Sequence, residues 1–235
     1  MKSVLITGAS RGLGRALYDH YLASGWIVLP LVRDPVVASE MKKCAPEGQC
    51  YPIVSDVCST EVEESVNETL TQVGKLDLLI NNAGIPGRSS GLENTSAEEA
   101  EELFNIHVVG ALRVTRAAAP FLQCAAEPTI INISSRLASL ARSAAGEFAD
   151  QGFSYTYRIA KAAQNMLSVC LAEEFGPEGV AVFAMNPGQF VSESAVSGAS
   201  ISAAEAAAAI ADWVTTHRQV DHVQFSQPNA GIIPW

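Results

Sequence analysis

Short runs of apolar, often β-branched residues alternate along the chain with longer stretches of helical periodicity. The runs predict strands that are covered on both faces, because they are continuously apolar rather than alternating. They are Lys2–Ile6, Trp26–Val32, Tyr51–Val54, Leu76–Ile80, Thr129–Ile133, Val180–Ala184 and His222–Phe225. Repeated strand–helix alternation predicts an α/β fold: a single Rossmann-type, doubly wound parallel sheet of about seven strands with helices on both faces.

Helical stretches fill the intervals between these predicted strands. They are Leu13–Ala23, Val36–Cys44, Val62–Val73, Ala97–Leu122, Ala160–Phe175 and Ala203–Thr215. Two have the Ser/Thr-x-x-Glu signal of a capped N-terminus, namely Thr60 with Glu63 and Ser96 with Glu99. No linker, repeat or long charge run divides the sequence, so we expect one domain over residues 1–235.

Composition and charge narrow the function classes. With 48% hydrophobic and 17% charged residues, the 235-residue chain can bury a sizeable core. Its net charge of −10 argues against nucleic acid and anionic membranes as partners. No apolar run is long enough to span a membrane, and the N-terminus does not resemble a signal peptide. The odd number of cysteines, without CxxC spacing, predicts a cytoplasmic protein without a disulfide framework or a metal site.

A glycine-rich turn, Thr7–Gly14, joins the first predicted strand to the first helix. Gly8 would permit the tight turn, Gly12 would let a pyrophosphate approach the backbone, and Gly14 would let the helix pack closely. Amides at the helix N-terminus would then bind the phosphate. This turn is not a Walker A loop, because no Gly-Lys-Ser/Thr follows it.

Four ordered motifs resemble those of the short-chain dehydrogenase/reductase superfamily. They are the glycine turn, Asn81-Asn82-Ala83-Gly84, Tyr157-x-x-x-Lys161 after Ser134-Ser135, and Asn186-Pro187-Gly188 followed by Ser192. The C-terminal Gly231–Trp235 is similar to that of the small carbonyl-reductase branch related to C-factor and sniffer proteins. The resemblance covers the chain end to end. It implies a nicotinamide-dependent oxidoreductase that forms a homodimer or homotetramer.

Tyr157 and Lys161 stand at i and i+4, and therefore share one face of a helix. A lysine cation one turn away should lower the pKa of the phenol, which suits a general acid that protonates a carbonyl oxygen. The resemblance assigns Ser135 to the hydrogen bond with the substrate oxygen. Tyr155 is the less suitable tyrosine because its i+4 neighbour is Ile159.

The family usually has an asparagine three residues before a glycine in the long fourth helix, where it holds a proton-relay water. Alignment on Gly110 places His107 there, while Asn105 falls on a different helical face. Imidazole titrates near pH 6.5. The sequence therefore predicts that turnover falls more steeply below about pH 6.5 than it would with asparagine.

Two arginines, Arg11 in the glycine turn and Arg33 after the second strand, favour NADP(H) over NAD(H) because arginine can bind a 2′-phosphate. Asp34 would favour NAD(H) if it faced the ribose in place of Arg33. Beside the three glycines and two arginines, the resemblance assigns these residues to the cofactor: Ser10, Leu13, Asp56, Val57, Asn82, Ala83, Gly84, Tyr157, Lys161, Pro187, Gly188, Phe190 and Ser192.

These residues predict an NADP(H)-dependent enzyme that interconverts a small-molecule carbonyl and an alcohol. Ile85, Phe153 and Phe190 suggest an apolar wall for the substrate. The segment from Leu140 to Gly152 lengthens the interval between Ser135 and Tyr157. It is either a cover over the pocket or a surface insertion.

Two other functions compete with this one. Gly87–Gly91 has the G-x-S-x-G pattern of a serine hydrolase around Ser89, with Asp212 and His217 following in order. A nucleophile elbow comes directly after a strand, however, and Asn81–Pro86 intervene here. The alternative is a catalytically weak NADP-binding sensor or signalling protein, which the unusual histidine favours and the complete Ser–Tyr–Lys set disfavours.

Overall fold

Strands and helices alternate along most of the chain, as the hydrophobic pattern predicts. The computed structural model describes residues 1–88, 90–190, 201–217 and 223–235. Within them the strands are β1 Ser3–Thr7, β2 Ile27–Val32, β3 Ile53–Val54, β4 Leu78–Asn81, β5 Thr129–Ile133, β6 Ala181–Met185, β7 Gln224–Gln227 and β8 Gly231–Ile232. The α-helices are α1 Gly12–Ala23, α2 Pro35–Cys44, α3 Val62–Val73, α4 Ala97–Phe104, α5 Gly110–Leu122, α6 Leu140–Ala144, α7 Tyr155–Phe175 and α8 Ala203–Thr216.

All eight described strands form one sheet in the order β3-β2-β1-β4-β5-β6-β7-β8. Neighbours from β3 through β7 are parallel, and β8 is antiparallel to β7. Val4 and Ile6 pack in one core with α1, α2 and α8, whereas Leu5 packs in the opposite core with α3, α5 and α7. Both faces of the sheet are therefore buried, which explains the continuously apolar strands and confirms the predicted doubly wound fold.

The sheet has one strand more than expected. The chain reverses at residues 228–230, where Asn229 has a left-handed φ of 64°, and returns as β8. The last predicted strand lies at Gln224–Gln227, slightly later than predicted, and His222 lies outside the described residues. A two-residue antiparallel strand carries no hydrophobic pattern that sequence reasoning could detect.

Helix starts agree with the sequence only in part. Ser96 accepts a hydrogen bond from the Glu99 amide at 3.1 Å, as predicted. The Thr60 signal is wrong, because α3 begins after Glu61 and has no side-chain cap. Of the helices described, none is both long and apolar enough to cross a bilayer.

The predicted long helix Ala97–Leu122 is interrupted by a π-helical turn at Asn105–Val109, between α4 and α5. Such a turn accommodates an extra residue and re-aims the side chains around it. Helix α7 begins at Tyr155 rather than Ala160, with Ser154 accepting a hydrogen bond from the Tyr157 amide. These two local features place the side chains of the candidate site.

Candidate active site

The carboxyl ends of β1 and β4 lie side by side because these strands are neighbours in the sheet. Thr7 Oγ1 accepts hydrogen bonds from the amides of Asn82 and Ala83, both at 2.9 Å. Asn82 Nδ2 in turn donates to the carbonyl oxygens of Thr7 at 2.9 Å and Gly8 at 3.3 Å. Asn82 therefore ties the end of β4 to the glycine turn, a contact that the sequence did not predict.

Three glycines determine the backbone of the turn between β1 and α1 and its packing against the helix. Gly8 and Gly12 have left-handed φ values of 67° and 55°, and a Cβ on Gly12 would meet only open space. A Cβ on Gly14 would overlap the Gly8 carbonyl group, so α1 packs directly against the turn. No side chain caps the first turn of α1, which carries no acidic residue. The exposed turn and the helix N-terminus thus suit an anionic ligand.

The arginine and the aspartate at the end of β2 take different directions. Asp34 caps α2, its carboxylate accepting a hydrogen bond from the Val36 amide at 2.8 Å. The Arg33 side chain is 76% exposed and lies 3.6 Å from the carboxylate of Asp56. Asp34 is therefore engaged by its own helix, while the Arg33 guanidinium stays available at the surface beside Asp56. Arg11 stands exposed at the start of α1.

Tyr157, Ser135 and Lys161 come together where β5 ends against α7. The Ser135 side chain lies beside the Tyr157 hydroxyl, whose pKa it lowers, and Lys161 Nζ lies 5.9 Å from the centroid of the tyrosine ring. Ser134 is buried and donates to Asn165 Oδ1 at 2.6 Å. Of the two adjacent serines, Ser135 is thus the one next to the phenol.

The pKa shifts in this cluster differ from the sequence-based expectation. Burial raises the pKa of Tyr157, and the polar Ser135 side chain beside it offsets only part of that rise. Burial also lowers the pKa of Lys161 to about 7. Lys161 Nζ donates to the Ile133 carbonyl oxygen and to Gln164 Oε1. Burial therefore dominates the pKa of Tyr157 in this structure, while the Lys161 ammonium is directed to these two oxygens.

His107 points into this cluster from the π-helical turn. Its ring is 1% exposed and stands edge-on to the Tyr157 ring, with centroids 5.6 Å apart. Nε2 lies 3.0 Å from the Ile85 carbonyl oxygen. Because a carbonyl oxygen only accepts, Nε2 carries the proton and Nδ1 keeps its lone pair. Asn105 lies elsewhere, accepting from Arg113 Nη1 at 3.0 Å.

The imidazole also explains a glycine in the second motif. A Cβ on Gly84 would lie 2.9 Å from His107 Nδ1, so only glycine leaves room for the ring. In the described part of the chain, His107 Nδ1 is buried and has no hydrogen-bond partner. It is therefore available as an acceptor next to Tyr157.

The expected titration of His107 near pH 6.5 is wrong. Burial and the nearby Lys161 charge lower its pKa to about 3, and the bond to Ile85 opposes this shift only weakly. The histidine is therefore neutral throughout the physiological pH range. It resembles an amide in that range, as one donor and one acceptor without charge.

A stability measurement tests this neutral histidine. Between about pH 6.5 and pH 3 the unfolded chain binds a proton at His107 that the folded chain does not. Stability should therefore fall as pH decreases through that window, by up to about 1.4 kcal/mol for each pH unit. His107→Asn should flatten this slope and leave the acid limb of the pH–rate profile between pH 5 and 7 in place. Urea unfolding across pH 4–7.5 measures the first effect.

The Lys161 ionisation does not obscure that experiment, because its folded pKa of about 7 confines its effect on stability to higher pH. An acid limb near pH 6.5 that disappears in His107→Asn would contradict the structure and restore the titrating histidine.

Most of the remaining predicted cofactor residues lie near the carboxyl ends of the strands, and one lies outside the residues that the structure describes. Val57 is buried against Gly110, where a Cβ would lie 2.9 Å from Val57 Cγ2. Pro187 and Gly188 follow β6, and Phe190 pairs with Ile201 through a short parallel bridge. Ser192 lies outside the described residues. Ser10 and Leu13 belong to the glycine turn and the start of α1.

The segment from Leu140 to Gly152 is a packed element rather than a loose insertion. Phe148 is buried, and the guanidinium groups of Arg136, Arg142 and Arg158 lie over its ring at 5.3–5.8 Å. Helix α6 is tied to the C-terminus, since the Ala141 amide donates to the Trp235 carbonyl oxygen at 2.8 Å. Phe153 stands edge-on to Phe148. The segment thus borders the residues that flank Ser135 and Tyr157.

Sequence reasoning missed two amides on α7. Gln164 accepts a hydrogen bond from Lys161, and Asn165 accepts one from Ser134. Their spacing was the available signal, because i+3 and i+4 from Lys161 lie on the same helical face. Buried amides on an inward face indicate a polar cluster rather than ordinary core packing.

The hydrolase hypothesis gains nothing from the structure. Ser89 itself lies outside the described residues, and residues 82–88 separate the end of β4 from it without strand or helix. His217 stacks on Trp213 at the end of α8, with ring centroids 3.6 Å apart. That environment gives the imidazole a packing role on its own helix.

Comparison with known proteins agrees with this geometry. The family model described as short chain dehydrogenase matches residues 2–200. The chain therefore belongs to the short chain dehydrogenase family, which is a family of oxidoreductases. It is 29% identical over 197 residues to the short chain dehydrogenase PigC of Monascus ruber, covering 80% of this chain and 62% of that protein. The chain spans only 41–62% of the length of the first curated relatives it matches.

Solved carbonyl reductases share the whole fold. The NADPH-bound carbonyl reductase from chicken fatty liver superposes with a TM-score of 0.86 at 26% identity, covering 100% of this chain and 99% of that one. A carbonyl reductase of Pseudomonas aeruginosa in complex with NADP gives a TM-score of 0.80 at 26% identity, with both chains covered completely. Both similarities extend from the first strand to the last.

Proposed function

We propose that the protein is an NADP(H)-dependent oxidoreductase that interconverts a ketone or aldehyde and an alcohol. The observation that carries this proposal is the cluster of Ser135, Tyr157 and Lys161 at the carboxyl end of β5, beside a glycine turn with an uncapped helix N-terminus. The fold shared with an NADPH-bound carbonyl reductase supports it. We keep the prediction of one domain over residues 1–235.

Each polar group would have a distinct task. The Tyr157 hydroxyl would protonate the carbonyl oxygen, and Ser135 would hold that oxygen through a hydrogen bond. Lys161 would bind the ribose and stabilise the phenolate that proton donation leaves behind. The neutral His107 would offer Nδ1 as an acceptor for the water that relays protons to the site. When bound, NADPH supplies the hydride that reduces the carbonyl carbon.

The residues at the end of β2 favour NADP(H) as the cofactor. The exposed Arg33 guanidinium can bind a 2′-phosphate, whereas Asp34 is committed to the α2 cap. Arg11, Gly12 and the first-turn amides of α1 would hold the remaining phosphates. Asp56 stands beside Arg33, and we propose that its contact orients the guanidinium.

Arg33→Gln tests the cofactor assignment. It should weaken NADPH binding by about tenfold or more, because a charge-assisted hydrogen bond contributes about 1.5–3 kcal/mol, and leave NADH binding unchanged. Fluorescence titration of the purified protein with each nucleotide measures both. Arg116→Gln serves as the control. It removes the same charge from Arg116 of α5, which forms an ion pair with Glu63 of α3. Equal weakening of both nucleotides would contradict the assignment, and a preference of the wild type for NADH would reassign the ribose site to Asp34.

The surface of α7 bears on the partner prediction. Ile159 and Met166 are large apolar side chains exposed on this helix, and Leu112 is exposed on α5. A second copy covering them would form the homodimer or homotetramer that we expect. Sedimentation at micromolar concentration distinguishes these assemblies from a monomer. The substrate we expect is a small carbonyl compound, with no nucleic acid or membrane partner and a cytoplasmic location.

A further inference from the structure

The ammonium group of Lys161 is held by two uncharged oxygens in a site closed to solvent. Nζ donates to the Ile133 carbonyl oxygen at 2.6 Å and to Gln164 Oε1 at 2.9 Å. Lys161 is 3% exposed and Gln164 is 1% exposed. A buried charge without water requires such acceptors, because its desolvation is otherwise uncompensated.

The ionisable groups that face Lys161 do not supply a counter-charge. Tyr157 belongs to the same helix, and its ring centroid lies 5.9 Å from Nζ. His107 faces it from the π-helical turn and is neutral. Across the residues that the structure describes, no carboxylate forms an ion pair with Nζ. The charged state of Lys161 therefore depends on the two oxygen acceptors, of which only Gln164 is a side chain.

We propose that Gln164 is a positioning residue for Lys161: its amide oxygen fixes the place of Nζ and stabilises the ammonium form. Gln164 acts through the lysine and not on the substrate. For its effect on turnover this inference rests on the proposed function. Its effect on the lysine itself does not depend on that function.

The protonation state of Lys161 is sensitive to this acceptor. Burial lowers its pKa to about 7, so the ammonium and the amine are both populated near neutral pH. A hydrogen bond accepted from the charged form raises the pKa relative to a site without an acceptor. Loss of the Gln164 oxygen should therefore lower the pKa further, and a carboxylate at the same position should raise it.

The direct test is a titration of the cofactor-free protein that carries 13Cε-labelled lysine, followed by NMR. Lys161→Met identifies the signal among those of the five lysines, the others being Lys2, Lys42, Lys43 and Lys75. Gln164→Met keeps the side-chain length but removes the acceptor, and should move the Lys161 midpoint about one pH unit lower. Gln164→Glu should move it higher by at least as much.

The rate profile provides the second readout. NADPH-dependent reduction requires the charged lysine, so its basic limb should move with the NMR midpoint, down in Gln164→Met and up in Gln164→Glu. Ser168→Ala is the matched control: Ser168 is buried on the same helix, donates to the Gln164 carbonyl oxygen at 3.1 Å and accepts from Asn132 Nδ2 at 2.8 Å, whereas the described hydrogen bonds of Lys161 Nζ go to Ile133 and Gln164. It should lower stability and leave the Lys161 midpoint in place.

Opposite shifts in the two variants would establish the positioning role, since a purely structural amide predicts no shift or the same sign in both. An unchanged Lys161 midpoint in both variants, or shifts of one sign, would overturn the inference. Opposite NMR shifts in a protein that reduces no carbonyl compound would leave the inference standing and reject the proposed function.

Discussion

Tyr157→Phe is expected to reduce kcat for carbonyl reduction by about 10²–10⁴-fold while leaving the NADPH dissociation constant nearly unchanged. In the Ser135–Tyr157–Lys161 cluster we assign the proton donation to the phenol, which lies beside the serine that would hold the substrate oxygen. Phenylalanine keeps the ring beside His107 and removes only the hydroxyl. Steady-state kinetics with a panel of ketones and aldehydes, together with nucleotide titration, measures both quantities.

Tyr155→Phe is the matched control, because Tyr155 lies on the same turn of α7 but is exposed. It should retain wild-type turnover. Equal activity of the two variants would reject Tyr157 as the general acid. A wild-type protein that binds NADPH tightly but reduces no member of the panel would instead favour the sensor or signalling function.

Gly14→Ala is expected to impair both folding and nucleotide binding. The added Cβ would overlap the Gly8 carbonyl group, lying 2.9 Å from its carbon, and would lie 2.5 Å from Asn82 Nδ2. Because one of these groups is backbone, α1 must move away from the turn. Overpacking of this kind costs about 1–3 kcal/mol of unfolding free energy. The shift would also displace the first-turn amides of α1. NADPH binding should weaken by at least about tenfold, because these N–H groups must point at the phosphate to bind it.

Urea unfolding and fluorescence titration of the same preparation separate the two effects. Gly176→Ala serves as the control, because a Cβ there meets nothing within 4 Å and the residue has no left-handed φ. It should leave nucleotide binding unchanged. If Gly14→Ala binds NADPH as the wild type does, the glycine turn is not the phosphate site.

Local sequence patterns predicted much of the fold and part of the candidate site. The fold class followed from continuously apolar strands, because a sheet buried on both faces leaves no strand position for a polar alternation. The close packing at Gly14 could be predicted from its place in the turn. The role of Ser96 as an N-cap could be predicted from its spacing to Glu99. The placement of Tyr157 and Lys161 on one helix also followed from their spacing alone.

Contacts between distant segments decided the rest. The sequence left open whether Arg33 or Asp34 faces the ribose; in the structure Asp34 caps α2 and the Arg33 side chain stays exposed. It predicted a titrating His107, but the ring is enclosed between Gly84 and Tyr157 and its pKa falls to about 3. Desolvation depends on every element around a group.

The sequence by itself therefore determined the family resemblance, the α/β sheet and the identity of the polar residues brought to its carboxyl edge. Only the tertiary structure decided their protonation and their partners. Lys161 illustrates the difference: its spacing placed it beside Tyr157, yet its ammonium is held by Ile133 and Gln164. Helical spacing is a property of adjacent residues, whereas burial and hydrogen bonding depend on how β5, α7 and the π-helical turn pack together.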